Sequence, residues 1–432
     1  MAPKRKAVDE VPTERPTSKQ RSSSVADLPY PNLSHKPAKP PLFQRPSQLL
    51  TFSYTPQHVL EFTDSALRYF IEPPRGADLG YGYDRWIRRP EERGRLDALL
   101  TGWSKFKTSF HSNDASSSSV SPPDVSVMSW RGIMTKILIA PYEEREGWEL
   151  NVMRVRGTLY FEEHLSDAKL KEKSDMDSRH RLQTYYGYAF ESYCTSSIPG
   201  RRDDAPSGTA SVRGWGGDVN TNVQWCSIVK TKLGDRRIVI GGEVDCVRGK
   251  YAGNTDNFVE LKTSLSIRGP SDELKFEKKL LKFYIQSFLL GVPEIVVGFR
   301  KPSGHLTTIQ SFQTVQIPRL VRGKPGAWDP LICLEWSDKF LSFLQETIPT
   351  TREKDVWRVT FVPKVGITAT VLDEAGIQDV VGGDDRIGFL PRWYWDEVMA
   401  TPAGEATSPS LPDERTIAPA PAASNVPSGW RI

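Results

Sequence analysis

The stretch from Arg237 to Lys262 constrains this chain more than any other. Two short apolar runs flank a polar turn, and each run alternates apolar with charged residues. In a strand, successive side chains point to opposite faces. A strand over residues 237–247 therefore puts Ile238, Ile240, Val244 and Cys246 on one face, with Glu243 and Asp245 on the other. After a loop over residues 249–256, a second strand over 258–262 turns Val259 and Leu261 one way and Glu260 and Lys262 the other. Pairing of the two strands brings three carboxylates and one ammonium onto one face of a sheet.

Carboxylates held close together raise one another's pKa. A hard divalent cation with oxygen ligands keeps such groups ionised. It can also polarise a phosphoryl oxygen and activate a water for in-line attack. A neighbouring Lys stabilises the charge that develops, or orients the water. The solvated face of a hairpin is the competing reading of an isolated Glu-x-Lys, since charged residues normally lie outside. Against it stands the Glu243-Val244-Asp245 triplet, with Asp245 followed by fourteen residues and then Glu260-Leu261-Lys262.

At 432 residues the chain is long enough for one large or two modest domains with a real core. Its formal net charge is only +4, so a phosphate-binding surface has to be local. The four cysteines Cys194, Cys226, Cys246 and Cys333 lack metal-type spacing and a dense disulfide pattern, and read as reduced, buried thiols. No apolar run reaches transmembrane length and no signal-peptide core is visible, so no membrane partner is expected. Composition predicts a disordered basic, Pro/Ser-rich tail over residues 1–46, a folded domain over 47–400 and a disordered Pro/Ala-rich tail over 401–432. Pro3-Lys4-Arg5-Lys6, echoed by Lys19-Gln20-Arg21, reads either as a nuclear-localisation signal or as a solvated tail.

Within the domain, helices are predicted over residues 64–70, 91–106, 182–194 and 277–290, the last closed by Gly291 and Pro293. Residues 112–121 read as a loop, 147–161 as two strands turning near Arg156-Gly157, and 295–300 as a short buried strand. Glu191 sits beside the aromatic stripe Tyr186, Phe190 and Tyr193; it either reaches solvent at the stripe's edge or has a partner such as a metal. Lys279, Lys282 and Gln286 form one polar stripe on their helix. Trp393-Tyr394-Trp395 reads as packing in preference to a base-stacking platform. The element order fits an α/β fold, with mixed sheets flanked by helices.

The Asp…Glu-x-Lys pattern resembles the core of the PD-(D/E)xK nucleases. Taken with WRGIMTK (130–136), GYAFE (187–191), DVNTNV (218–223), GEVDC (242–246), VELKTS (259–264), LLKFYIQSFLLGVP (280–293) and GFR (298–300), the chain resembles the DXO-type decapping nucleases. It is most similar to the fungal nuclear members that bind and activate the 5′→3′ exoribonuclease Rat. The resemblance covers residues from about Phe52 to Trp393 and implies one PD-(D/E)xK-like catalytic domain acting on RNA 5′ ends. It implies that Glu191, Glu243, Asp245, Glu260 and the main-chain carbonyl of Leu261 ligate one or two Mg²⁺ or Mn²⁺ ions. It implies further that Lys262 and Gln286 stand beside the scissile phosphate, that Glu243 also contacts substrate, and that Arg131 binds substrate phosphates. Trp130, Gly132 and Cys226 line the same cavity. Some relatives carry an RNA-contacting Arg where this chain has His58, so that contact is unassigned. Read without the family, Arg131 is only a charge beside an aromatic.

The activity so implied is hydrolysis of 5′-triphosphate, incompletely capped and NAD-capped RNA ends, with 5′→3′ exonuclease action in some members. Two other readings carry different tests. A stabilising scaffold for the exoribonuclease leaves the metal constellation free to decay, yet it is intact here. A DNA endonuclease of the same fold leaves Arg131 and Gln286 without a stated role. The location implied for the fungal members is the nucleus.

Overall fold

The computed structural model describes residues 25–34, 39–113, 124–201 and 212–400. The basic N-terminal run, the tail from residue 401 and residues 114–121 of the serine-rich loop lie outside the described residues. Two mixed sheets organise the rest, as the alternating strand patterns predict. One has ten strands in the order Val25–Pro29, Gly366–Val371, Trp357–Val362, Trp148–Val155, Thr158–Glu163, Val127–Trp130, Arg236–Glu243, Gln224–Leu233, Ser47–Tyr54 and Leu60–Glu61. The other has six: Leu306–Gln313, Glu294–Arg300, Phe258–Leu265, Cys246–Val247, Tyr69–Phe70 and Thr195–Ser196.

The largest core lies between the sheets and takes in the helices Arg131–Ile139, Pro270–Leu290 and Pro330–Thr347. A second core covers the far face of the ten-stranded sheet beneath the helix Asp97–Asn113. There Tyr394 and Trp395 are buried as packing, whereas Trp393 of the same block is exposed. A third core places the helix Ser178–Cys194 against Val259, Leu261 and Val296 of the six-stranded sheet. Among the described residues no helix is long and apolar enough to cross a membrane.

Three expectations need correction. The tail expected over residues 1–46 is interrupted by structure: Val25–Pro29 pairs antiparallel with Gly366–Val371, and Phe43 bridges Leu233. A strand that serves only as a sheet edge needs no apolar alternation of its own, so composition hid it. The helix expected over residues 64–70 is a turn leading into Tyr69–Phe70, because the Asp64 carboxylate is drawn off to accept from Trp225 Nε1 at 2.9 Å and Thr51 Oγ1 at 2.8 Å. Most important, the strand expected over 237–247 is two. Arg236–Glu243 pairs with Gln224–Leu233 in the ten-stranded sheet, whereas Cys246–Val247 pairs with Phe258–Leu265 in the six-stranded one. The crossing is fixed on both sides: Val244 N donates to Trp225 O at 2.9 Å, and Leu261 N donates to Asp245 Oδ2 at 2.6 Å. Ile238, Ile240 and Val244 therefore pack in the inter-sheet core, and Cys246 packs in the third.

Candidate active site

The crossing places Glu243 and Asp245 at the seam between the sheets, where other elements deliver the remaining groups. Val127–Trp130 runs parallel beside Arg236–Glu243, with Trp130 opposite Gly241, and the next helix starts at Arg131. The glycine pair before Glu243 permits this approach. A Cβ on Gly241 would stand 2.7 Å from the Trp130 ring, and one on Gly242 would stand 3.0 Å from Arg131 Cβ. Arg131 Nη1 donates to Glu260 Oε2 at 2.8 Å, and Lys262 Nζ reaches Glu260 Oε1 at 2.5 Å. Glu260 has no solvent exposure. On the neighbouring strand Gln224 Nε2 donates to Glu243 Oε2 at 2.9 Å.

Electrostatics tie these groups into one cluster. Burial pushes Glu260 up, but the Arg131 and Lys262 charges outweigh it and hold its carboxyl at about 2. Asp245 makes no ion pair among the described residues; burial and then the Glu260 charge push it up to about 7, against the pull of Lys262. Glu191 is held well above the carboxylate range by burial, then by Asp245 and Glu243. Burial raises Glu243 too, against the pull of Arg131. Lys262 and Arg131 both gain more from the carboxylates than burial takes away. Cys226 is a buried thiol, pushed up by burial and then by Glu243.

A cavity of about 210 Å³ opens here, with Glu191, Glu243, Asp245, Gln224 and Tyr188 in its wall. As their side chains stand, no three His, Cys, Asp or Glu residues among the described ones converge closely enough to share an ion. The oxygens of Glu260, Asp245 and Glu243 are directed at Arg131 and Lys262, at Leu261 N and at Gln224 respectively. The donor set still fits a hard divalent cation: four carboxylates occupy one patch, and three are raised by burial and mutual repulsion. A cation with oxygen ligands relieves both.

The other expected residues divide. Gly132 is open, since an added Cβ meets nothing within 4 Å. Trp130 has a structural tie, its Nε1 donating to Arg95 O at 2.8 Å. Gln286 lies one turn before Leu290, whose Cδ1 packs against Gly242, and it makes no hydrogen bond among the described residues. His58 has a left-handed backbone (φ 60°), stacks on Tyr54 with centroids 4.1 Å apart and contacts Asn222 O through Nδ1. Sequence reasoning missed Gln224 and Tyr188. Gln224 shares a strand face with Cys226 two residues on, which was its only local signal.

A sequence model described as RAI1-like PD-(D/E)XK nuclease matches residues 44–395. The chain belongs to that family. As a member it is an enzyme, a hydrolase of the nuclease class. Among its relatives, the decapping nuclease RAI1 of Mycosarcoma maydis is 36% identical over 452 residues, covering 83% of this chain and 88% of the relative. The decapping and exoribonuclease protein of Xenopus laevis is 33% identical over 370 residues, covering 83% and 87%. Among solved structures, S. pombe Rai1 in complex with 3′-FADP superposes with a TM-score of 0.64 at 26% identity, covering 81% of this chain and 100% of that one. Candida albicans Rai1 in complex with pU5-Mn²⁺ shares the fold, with a TM-score of 0.73 at 22% identity and coverage of 87% and 99%.

Proposed function

We propose that this chain is a divalent-metal-dependent decapping nuclease acting on RNA 5′ ends. The observation that carries the reading is the gathering of Glu191, Glu243, Asp245 and Glu260 with Lys262 and Arg131 at one seam, tied together by mutual charge. The names of the relatives, decapping nuclease and decapping and exoribonuclease protein, support the choice of substrate.

Glu191, Glu243, Asp245, Glu260 and the Leu261 carbonyl are the groups that would hold Mg²⁺ or Mn²⁺. Such an ion supplies charge neutralisation and water activation at phosphorus. The chain's own residues supply the rest. Lys262 presents an ammonium beside the reacting phosphoryl oxygens, where it stabilises developing charge. Arg131 has only Nη1 engaged among the described residues, which leaves the rest of its planar fork for a 5′ phosphate. Gln286 and Gln224 orient groups by hydrogen bonding. Trp130 and Gly132, on either side of Arg131, and Cys226, opposite Glu243 in the strand pairing, are the groups that would line the path of the RNA 5′ end. The products are pyrophosphate from 5′-triphosphate RNA, the cap dinucleotide from incompletely methylated caps, and the NAD cap from NAD-capped ends. In the nucleus the same chain activates a 5′→3′ exoribonuclease of the Rat type.

Matched RNAs that differ only at the 5′ end, incubated with Mg²⁺ or Mn²⁺, test the enzyme reading. Release of the 5′ group is expected, and chelator abolishes it. No release from any of the ends with either ion overturns the reading. Co-purification with the exoribonuclease in chelator tests the partner reading, since a surface outside the cavity does not need the ions.

A further inference from the structure

Arg68 stands in the wall of the cavity of about 210 Å³ that Glu191, Glu243 and Asp245 also line, and the site above gives it no role. Its main chain is tied on two sides. Val247 N, two residues after Asp245, donates to Arg68 O at 3.0 Å. Tyr69 pairs with Val247 and, on its other side, with Ser196, just beyond the helix Ser178–Cys194 that carries Glu191. Phe70 packs in the third core beside that helix, and alternation turns Arg68, two residues earlier, to the same side. A loop closes the wall: a Cβ on Gly216 would stand 2.3 Å from Ser192 O, and Ser192 Oγ donates to Gly217 O at 2.6 Å.

Arg68 is the one cation in that wall, yet its side chain makes no ion pair or hydrogen bond among the described residues. Four carboxylates share the wall, and three have other partners. Asp218 accepts from Arg85 Nε at 2.9 Å, Glu243 from Gln224, and Asp245 from Leu261 N. The charges that act most strongly on Glu191, Glu243 and Asp245 are one another, Glu260, Lys262 and Arg131, so Arg68 stands outside the cluster. Arg131 and Lys262 engage Glu260 and are not in this wall. The site therefore has one cationic centre at Glu260 and a second in the cavity. Arg248, by contrast, is occupied: it pairs with Glu294 at 2.7 Å and lies over the Phe70 ring at 4.2 Å. A planar guanidinium with its whole fork free suits a phosphate oxygen pair.

We propose that Arg68 binds the β- and γ-phosphates of a 5′-triphosphate RNA end, which makes it a specificity-determining residue among 5′ ends. The proposal rests on the RNA 5′-end reading of the catalytic cluster and names the end that the cavity reads. The α-phosphate stays with Arg131 and Lys262, and the two outer phosphates extend into the cavity. On hydrolysis a water oxygen bonds the α-phosphorus, and the bond from that phosphorus to the α–β bridging oxygen breaks. The electron pair leaves with pyrophosphate, held by Arg68, and the water proton passes to solvent. Because the guanidinium stands outside the carboxylate cluster, an end with a single phosphate does not reach it.

The test is binding of short RNAs of one sequence that carry a 5′-triphosphate or a 5′-monophosphate, labelled at the 3′ end and followed by fluorescence anisotropy in Ca²⁺ buffer. The wild type should prefer the triphosphate by about tenfold or more. Arg68→Gln should abolish that preference and leave the monophosphate affinity within about twofold. Arg68→Lys keeps the charge without the fork, so its preference should fall by about threefold. Arg75→Gln, at an exposed arginine outside the cavity wall and without an ion pair among the described residues, should leave the preference unchanged. No triphosphate preference in the wild type overturns the proposal, as does a preference that survives in Arg68→Gln. An equal weakening of both ends in Arg68→Gln, or an equal loss in Arg75→Gln, overturns it too. If Arg68→Gln fails to fold, an unchanged preference in Arg68→Lys is the overturning result. Should the wild type hydrolyse no 5′ end with Mg²⁺ or Mn²⁺ while the preference still depends on Arg68, the triphosphate site stands and the hydrolase reading falls.

Discussion

Arg131 and Glu260 form a buried ion pair, Nη1 to Oε2 at 2.8 Å, with side-chain exposures of 12% and 0%. One residue was expected to grip substrate and the other to hold metal, so the pair couples the two jobs. Glu260 keeps its charge because Arg131 and Lys262 both face it. Removing one partner of a buried pair typically costs about 3–5 kcal/mol, since it strands the other charge. Arg131→Met should therefore lower both turnover and melting temperature. Arg131→Lys retains a charge but not the fork; it should lose turnover by about a hundredfold with a smaller fall in melting temperature. Steady-state kinetics and thermal melts on the two variants check this, and wild-type turnover in Arg131→Lys would remove Arg131 from the chemistry.

Asp245 gives the opposite stability signature. Burial and the Glu260 charge hold its folded pKa at about 7, above the unfolded value. A raised carboxylate pKa means the folded state favours the proton. Stability therefore falls as pH rises from the ordinary carboxylate range through about 7, and above that the whole penalty is present. Asp245→Asn removes that charge and keeps an oxygen for Leu261 N–H. In chelating buffer at pH 8 the variant should melt at or above the wild-type temperature, while metal-supported hydrolysis falls by about a hundredfold or more. A variant that both hydrolyses normally and melts lower contradicts the assignment on both counts.

Much of this cluster was legible in the sequence because strand alternation reports facing directly. Glu243, Asp245, Glu260 and Lys262 needed only period two and a short separation. The sheet switch was not legible, since alternation is the same whether a strand continues or crosses to another sheet at Val244. Gln224 was missed for a related reason. Its bond to Glu243 depends on strand pairing, and pairing leaves no mark on a single glutamine. Trp130 shows the same limit: its indole N–H is anchored on Arg95 O, a tie between distant segments that its motif does not carry. The edge strand Val25–Pro29 depends on Gly366–Val371 near the other end of the domain, and no local pattern carries that information.

Glu162 offers a pH test away from the site. It is 3% exposed, Arg95 Nη1 donates to its Oε1 at 2.8 Å, and its Oε2 is buried without a partner. Burial wins over the Arg95 charge and pushes the carboxyl up to about 7. Because the folded pKa exceeds the unfolded one, stability falls as pH rises from about 4.5 through 7, by roughly 3 kcal/mol at most. Glu162→Gln has no proton to lose. The difference in melting temperature between variant and wild type should therefore grow in the variant's favour between pH 5 and pH 8. A difference that stays flat across that window would show the carboxyl is already ionised at pH 5.

Gly242 tests how tightly the scaffold sets Arg131. A Cβ there would lie 2.8 Å from Leu290 Cδ1 and 3.0 Å from Arg131 Cβ. The leucine methyl is the tip of a side chain and can swing away. Arg131 Cβ cannot, because it is fixed to the main chain at the first residue of its helix. Gly242→Ala should thus have two separable effects. Overpacking against Leu290 lowers stability by about 1–3 kcal/mol. Displacement of Arg131 by a fraction of an ångström misaligns its guanidinium with Glu260 and with substrate, and turnover falls about tenfold or more. Adding Leu290→Ala separates the two. The substitutions touch, so their stability losses should sum to less than the separate values. Turnover should stay low, because the Arg131 contact persists. Kinetics and melts on the single and double variants resolve this. Recovery of turnover in the double variant would mean that Leu290, and not Arg131, transmits the effect of the added methyl.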